Sequence, residues 1–288
     1  MSVEPSLAGR IALVTGASRG IGRAIAQRLA SAGAFVVVTA RSVESSPTPG
    51  TLRETVALIE AAGGRALALR CDLDDATERN GLIEQVVQTV GGLDILVNNA
   101  GFAQYAPVEK MSDAAFAQLT NHYFQVPFAL SRAAIPHLRA RGAGWILNVG
   151  SVSALPPLRP FDDYARYGGS AIYGALKAAL NRFTQGLAAE LLADNIAVNV
   201  VAPSTAISTP GADPHIPSDY PTEPVEYLAE TALALCHLPA SERTGQIAYS
   251  LHFPLQHGLA VRMLDARGTL PPPQIPPWAH PDCLQPQR

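Results

Sequence analysis

Tyr173 and Lys177 stand four positions apart in the stretch YARYGGSAIYGALK. On a helix that spacing puts both side chains on one face. A free phenol titrates at about 10, too high for easy proton transfer at neutral pH. A neighbouring ammonium favours the phenolate and lowers that barrier. The pair therefore has the chemistry to give a proton to a carbonyl oxygen or take one from an alcohol. Tyr164 and Tyr167 share the stretch, but four residues beyond them stand Gly168 and Ala171. With no lysine there, they read as candidate wall residues of a pocket. The bland alternative for Tyr173 and Lys177 is an ordinary contact on a helix surface.

A second group of residues has the chemistry of a phosphate site. In LVTGASRGIGRA, Gly16, Gly20 and Gly22 let the backbone turn tightly and approach a pyrophosphate, and a helix N-terminus follows. The spacing is G-x-x-x-G-x-G, which departs from G-x-G-x-x-G, and a plain tight turn is the alternative. The second strand ends VVVTARS and carries no acid for a ribose 2′-hydroxyl, whereas Arg41 is basic and Arg19 lies in the glycine loop. Two guanidiniums and no carboxylate suit a 2′-phosphate, hence NADP(H) over NAD(H). A solvated Arg41 is the competing reading.

These residues need elements to hold them. Short apolar runs begin at Ile11, Phe35, Ala66, Asp94, Trp145 and Ile196. Their near-continuous hydrophobicity predicts strands covered on both faces. Segments of helical spacing lie between them, among them one long segment, DAAFAQLTNHYFQVPFALSRAAIPHLRA, and IYGALKAALNRFTQGLAAELLADN. Several close on glycine, a common helix stop. Such alternation predicts an α/β fold: a single Rossmann-like, doubly wound parallel sheet of about seven strands with helices on both faces. Ligands of such sheets bind at the carboxyl ends of the strands. Beyond residue 203 the chain becomes rich in Pro, Ser and Thr, then yields a helix VEYLAETALALCHL and a last strand GQIAYSLHF. The expected division is a catalytic domain over 1–260 and a proline-rich tail over 261–288. With seven prolines from Leu270 on, the tail is excluded from regular helix. It either lies extended over the surface or a neighbouring subunit, or is partly disordered.

Composition narrows the partners. The 288 residues are 48% hydrophobic with a net charge of −3 and no basic stripe, which disfavours nucleic acid. No apolar run approaches a membrane span, and MSVEPSLAGR lacks a signal-peptide pattern. Three widely spaced cysteines, Cys71, Cys236 and Cys283, read as reduced thiols of a cytoplasmic protein with no metal site.

The motifs together resemble the short-chain dehydrogenase/reductase family. TGASRGIG resembles its cofactor loop, NNAG (98–101) its motif after the fourth strand, LNVGSVSA its catalytic-serine segment, YGALK its active-site pair, and NVVAPSTAIST its loop after the sixth strand. The resemblance runs in order over most of residues 8–255. It implies oxidation or reduction of a small-molecule carbonyl/alcohol pair with a nicotinamide dinucleotide, and assembly as a homotetramer or homodimer. It assigns Ser151 to the substrate oxygen, with Ser153 as rival, and Tyr173 to the proton. Lys177 would hold the nicotinamide ribose, and Asn121 a water that links the lysine to solvent. Asparagine is unfavourable inside a helix, and a solvent-facing side chain is the alternative at Asn121; His122 reads as packing. The cofactor would also touch Ser18, Ile21, Asp72, Leu73, Asn99, Ala100, Gly101, Pro203 and Thr209. Asp72 could equally cap the following helix. The other readings left open are an NAD-dependent alcohol dehydrogenase and a dinucleotide-binding sensor or scaffold.

The sequence departs from that pattern in three places. Pro203-Ser204 replaces Pro-Gly, and Thr209 lies one place late, so Ser208 competes for the nicotinamide contact. AYSLHFPLQHG replaces the customary end of the last strand. Tyr164 lies 13 residues after Ser151, the customary spacing, whereas Tyr173 lies 22 after it. That implies an insertion near 154–171 which, with a substrate loop near 204–224, would border the pocket. Its Pro156, Pro157, Leu158, Pro160, Phe161, Tyr164 and Tyr167 suit an apolar wall for a hydrophobic substrate, cyclic ones included. A solvent loop or a subunit contact is the alternative.

Overall fold

A computed structural model describes residues 6–45, 49–102 and 104–284. Both outer ends of the expected division, 1–5 and 285–288, lie outside the described residues.

The apolar runs form seven strands: β1 (Ile11–Thr15), β2 (Phe35–Ala40), β3 (Arg65–Arg70), β4 (Ile95–Asn98), β5 (Gly144–Val149), β6 (Ile196–Ala202) and β7 (Ile247–Tyr249). They make one sheet in the order β3-β2-β1-β4-β5-β6-β7, parallel at every pairing. The helices are α1 (Gly20–Ser31), α2 (Leu52–Ala61), α3 (Ala76–Val90), α4 (Asp113–Thr120), α5 (Val126–Ala140), α6 (Asp163–Tyr167), α7 (Ala171–Glu190), α8 (Val225–Ala234) and α9 (His252–His257). Side chains alternate across a strand. Ala12 and Val14 therefore join Ile25, Leu29, Ile59 and Leu228 in one core layer, and Leu13 joins Leu82, Val86, Leu130 and Leu187 in the other. Helices α1, α2 and α8 cover the first face; α3, α5 and α7 cover the second. Strand order reverses between β1 and β4, which opens a crevice at their carboxyl ends.

Two expectations change, and the course of the tail becomes visible. The long segment predicted as one helix is interrupted by a π turn at Asn121–Gln125 between α4 and α5. Such turns insert one residue into the helical ladder and recur at functional sites. The predicted last strand GQIAYSLHF shrinks to three residues, and its end becomes α9. Pro254 is tolerated there because the first turn of a helix has N–H groups without helical partners. The described part of the tail packs on its own chain. Arg262 N–H donates to Glu230 (3.0 Å), the Tyr227 hydroxyl donates to the Pro271 carbonyl (3.1 Å), and His280 Nε2 donates to the Pro156 carbonyl (2.9 Å). Cys283 is buried with Tyr249, Val152 and Leu155.

Candidate active site

The first two turns of α7 carry Tyr173 and Lys177 toward the carboxyl end of β5. Lys177 is buried, and its Nζ donates to the Val149 carbonyl at 2.8 Å. Ser151 follows two residues later in extended backbone; its Oγ accepts the Ser153 N–H at 3.1 Å, and its hydroxyl is near enough to Tyr173 to favour the phenolate slightly. The structure thus brings Ser151, Tyr173 and Lys177 together. Ser153 supports this group through its backbone N–H.

The electrostatics differ from the sequence expectation. Loss of water pushes Lys177 from 10.5 down to about 7. Tyr173 is pushed up, by desolvation first and by the Tyr123 phenol next, against the opposing influence of the Ser151 hydroxyl. The lysine nitrogen sits 4.3 Å from the Tyr123 ring centre and 5.7 Å from that of Tyr173. In this arrangement burial outweighs the cation, and Tyr173 keeps its proton at neutral pH.

Two aromatic residues that sequence reasoning missed complete the surroundings. Tyr105 and Tyr123 meet the Tyr173 ring edge-on at 5.2 and 5.3 Å, and Tyr105 also meets His215 at 5.4 Å. Tyr123 lies within the π turn, which no residue pattern announces. Gly101 is explained by the same ring, since a Cβ there would lie 2.8 Å from Tyr123. Asn121 uses its amide elsewhere: Nδ2 donates to Asp74 at 3.0 Å and Oδ1 accepts from Arg79 at 3.1 Å. Its carbonyl accepts the Val126 N–H. His122 packs edge-on against Phe102, with Nε2 2.9 Å from Asp74.

The glycine loop closes the other side. Gly16 adopts a positive φ of 65°, and a Cβ there would lie 2.8 Å from the Ala100 backbone. A Cβ at Gly22 would lie 2.4 Å from both the Gly16 carbonyl and Asn99 Nδ2. Asn99, expected against the cofactor, turns its amide to the loop and donates to the Thr15 carbonyl at 2.8 Å and the Gly16 carbonyl at 3.2 Å. Thr15 Oγ1 accepts the Asn99 and Ala100 N–H groups and donates to the Val97 carbonyl. Ser18 is buried within the loop, Ile21 packs on one core layer and Leu73 is buried in the other.

Of the two competing hydroxyls, Thr209 stands against the loop, with its Cγ2 3.1 Å from where a Gly20 Cβ would be. Ser208 is tied to Asp213 at 2.8 Å. Pro203 follows β6, and Ser204 is buried and accepts the Leu251 N–H while bonding His252 Nδ1, both at 2.9 Å. The departure from Pro-Gly therefore anchors the 204–224 loop to the turn before α9. Asp75, not Asp72, caps α3, accepting the Thr77 and Glu78 N–H groups; Asp72 accepts the Asp74 N–H within the preceding turn.

Arg19 is pushed down by burial first and then by the nearby charges of Arg23 and Arg41. Arg41 is exposed, 3.9 Å from Asp74. Cations thus converge beside the glycine loop. Among the described residues, no group of His, Cys, Asp and Glu is arranged to hold a metal, and no helix is long and apolar enough to cross a membrane.

Comparison with known proteins gives a consistent result. A family model described as short chain dehydrogenase matches residues 10–215. An uncharacterized oxidoreductase of Methylorubrum extorquens is 37% identical over 70% of this chain and 75% of its own. The hydroxynaphthalene reductase-like protein Arp2 of Metarhizium majus is 34% identical over 81% of this chain and 83% of its own. Among solved structures, a short chain dehydrogenase from Burkholderia cenocepacia in complex with NADP superposes with a TM-score of 0.71 at 32% identity, covering 84% of this chain and 96% of that one.

Proposed function

The chain belongs to the short-chain dehydrogenase/reductase family and is an NAD(P)-dependent oxidoreductase, and from that premise we propose that it reduces a hydrophobic ketone to a secondary alcohol with NADP(H) preferred over NAD(H). The observation that supports this reading is the meeting of Ser151, Tyr173 and the buried Lys177 at the carboxyl end of β5, with burial favouring the protonated form of Tyr173. A protonated phenol is a donor, which is what a developing alkoxide needs.

The residues present fit the dinucleotide. Gly16 and Gly22 sit where a Cβ would collide with neighbouring backbone, and the cations of Arg19 and Arg41 suit the charge of a 2′-phosphate. The NADP-bound relative from Burkholderia cenocepacia supports the same preference. The nicotinamide, when bound, supplies the hydride for the carbonyl carbon. Ser151 hydrogen-bonds the carbonyl oxygen and stabilises its growing charge. Tyr173 gives that oxygen its hydroxyl proton. Lys177 would reach the ribose of the bound dinucleotide and, with Asn121, would hold the water that returns the proton. Thr209, at the glycine loop, would hold the carboxamide of the bound nicotinamide. The three unpaired thiols suit a reducing compartment, the cytoplasm.

A ketone panel with NADPH and NADH tests this reading. Tyr173→Phe should lower kcat by about 10²–10⁴-fold while dinucleotide binding persists. Arg41→Asp should move the NADPH-over-NADH preference toward NADH by about tenfold. An unchanged preference would defeat the 2′-phosphate reading. Dinucleotide binding with no carbonyl turnover would return the protein to the sensor class.

A further inference from the structure

The π turn at Asn121–Gln125 makes contacts of two kinds. Its third residue, Tyr123, meets the catalytic pair: its ring lies edge-on to Tyr173 at 5.3 Å, and its ring centre is 4.3 Å from Lys177 Nζ. Its first two residues are tied to the segment that joins β3 to α3. Asp74 Oδ1 accepts Asn121 Nδ2 at 3.0 Å and lies 2.9 Å from His122 Nε2. Arg79 adds a third tie, donating to Asn121 Oδ1 at 3.1 Å and to the Leu73 carbonyl at 3.0 Å.

The two residues depend on Asp74 to different degrees. The Asn121 amide has two tethers, one from Asp74 and one from Arg79. The His122 imidazole has one, because its Nδ1 is buried with no hydrogen-bond partner among the described residues. A carboxylate acceptor makes a stronger bond than a neutral one, so Asp74 sets the imidazole ring. That ring packs edge-on against Phe102 at 5.0 Å, and the Phe102 N–H donates to the Tyr123 hydroxyl at 3.0 Å. The Tyr123 hydroxyl in turn donates to the Phe102 carbonyl. One carboxylate oxygen thus orients two successive residues of the turn, and His122 with Phe102 carries that order to the ring beside Tyr173. The other oxygen, Oδ2, lies 3.9 Å from Arg41, so the tether uses Oδ1 alone.

We propose that Asp74 is a positioning residue for the return of the proton to Tyr173: it tethers the start of the π turn and thereby sets Asn121 and Tyr123 against Lys177 and Tyr173. The proposal deepens the oxidoreductase reading and rests on it. The step it serves moves one proton from solvent to the phenolate that reduction leaves on Tyr173, and no electrons. Asp74 acts on the turn and not on the substrate.

Amide hydrogen exchange on the full NADP⁺-loaded protein and turnover of a ketone panel with NADPH, 2-tetralone first, test it together. Asp74→Ala should speed exchange over residues 121–126 about tenfold, the scale of one lost charge-assisted hydrogen bond. It should also lower kcat about tenfold, keep the KM for NADPH within about twofold, and raise the solvent isotope effect on kcat as proton return becomes limiting. Asp74→Asn keeps an acceptor oxygen and should restore most of both losses. Asp75→Ala removes the α3 cap instead. It should lower the melting temperature and leave the exchange of residues 121–126 and the isotope effect as in the parent. Unaltered exchange in Asp74→Ala refutes the tether. Faster exchange with an unchanged kcat and isotope effect refutes the positioning role and leaves Asp74 a support of the fold. An unmutated protein that binds NADPH and reduces no ketone sinks the oxidoreductase reading and the proton-return role with it, while the exchange result still decides the tether.

Discussion

At the scale of single residues, the informative one is Lys177. Its folded-state value of about 7 lies below the 10.5 of a free lysine. Between those values the unfolded chain holds a proton that the folded chain does not, so stability rises with pH across the window and is least favoured below it. Lys177→Met removes the buried charge and also its bond to Val149. The stability difference between variant and parent should therefore move in the variant's favour as pH falls from about 10 to about 6. Urea denaturation at three pH values reads this directly, and a difference constant with pH would contradict it. The choice among the three tyrosines was legible because the lysine four residues on is a local signal. The ionisation state of Tyr173 was not, because desolvation depends on Tyr105 and Tyr123, which arrive from distant parts of the chain.

At the scale of elements, the glycine loop shows what local sequence can and cannot say. The loop was recognisable from its place between a strand and a helix. That Asn99 would clamp it to the end of β4 was not, since the partners lie 83 and 84 residues apart. Gly22 is the sharpest test of that clamp. It lies within α1 with no unusual φ, so alanine there is opposed only by the Gly16 carbonyl and Asn99. Gly22→Ala should cost about 1–3 kcal/mol by overpacking and weaken dinucleotide binding along with it. Thermal unfolding with and without NADP⁺ would register both, and an unchanged melting temperature would mean that the clamp yields freely. The buried strands were legible because a short, continuous apolar run suits little except a strand covered on both faces. The short β7, the π turn and the course of the tail were not. A three-residue strand barely outlasts its flanking turns, and prolines exclude helix without saying which surface the chain will follow.

At the scale of the whole molecule, the two helical faces of the sheet differ. Phe116 on α4, Phe124 in the π turn and Phe128 on α5 are 48%, 38% and 44% exposed. Phe124 and Phe128 both meet Phe183 of α7 edge-on, at 6.0 and 6.4 Å. A solvated phenylalanine is unremarkable alone, but several on adjoining helices suit a subunit interface. A contact between two copies of the chain would cover these rings, and the oligomeric state tests it. A stable interface buries about 1,200–2,000 Å² in total, more than these rings supply, so such a contact would have to extend along α5 and α7. Helix α7 also carries Tyr173 and Lys177, on the side turned toward the sheet. Dimerisation would then stiffen the helix whose inner face does the chemistry. Phe124→Glu combined with Phe128→Glu places four charges at the centre of a two-fold contact and should release monomers in light scattering. Turnover should fall with the dimer fraction, while NADP⁺ still protects the monomer from heat because the glycine loop lies across the sheet. Retention of the parent mass by the double variant would remove this face from the assembly and leave the phenylalanines as surface residues of a monomer or of a differently built oligomer.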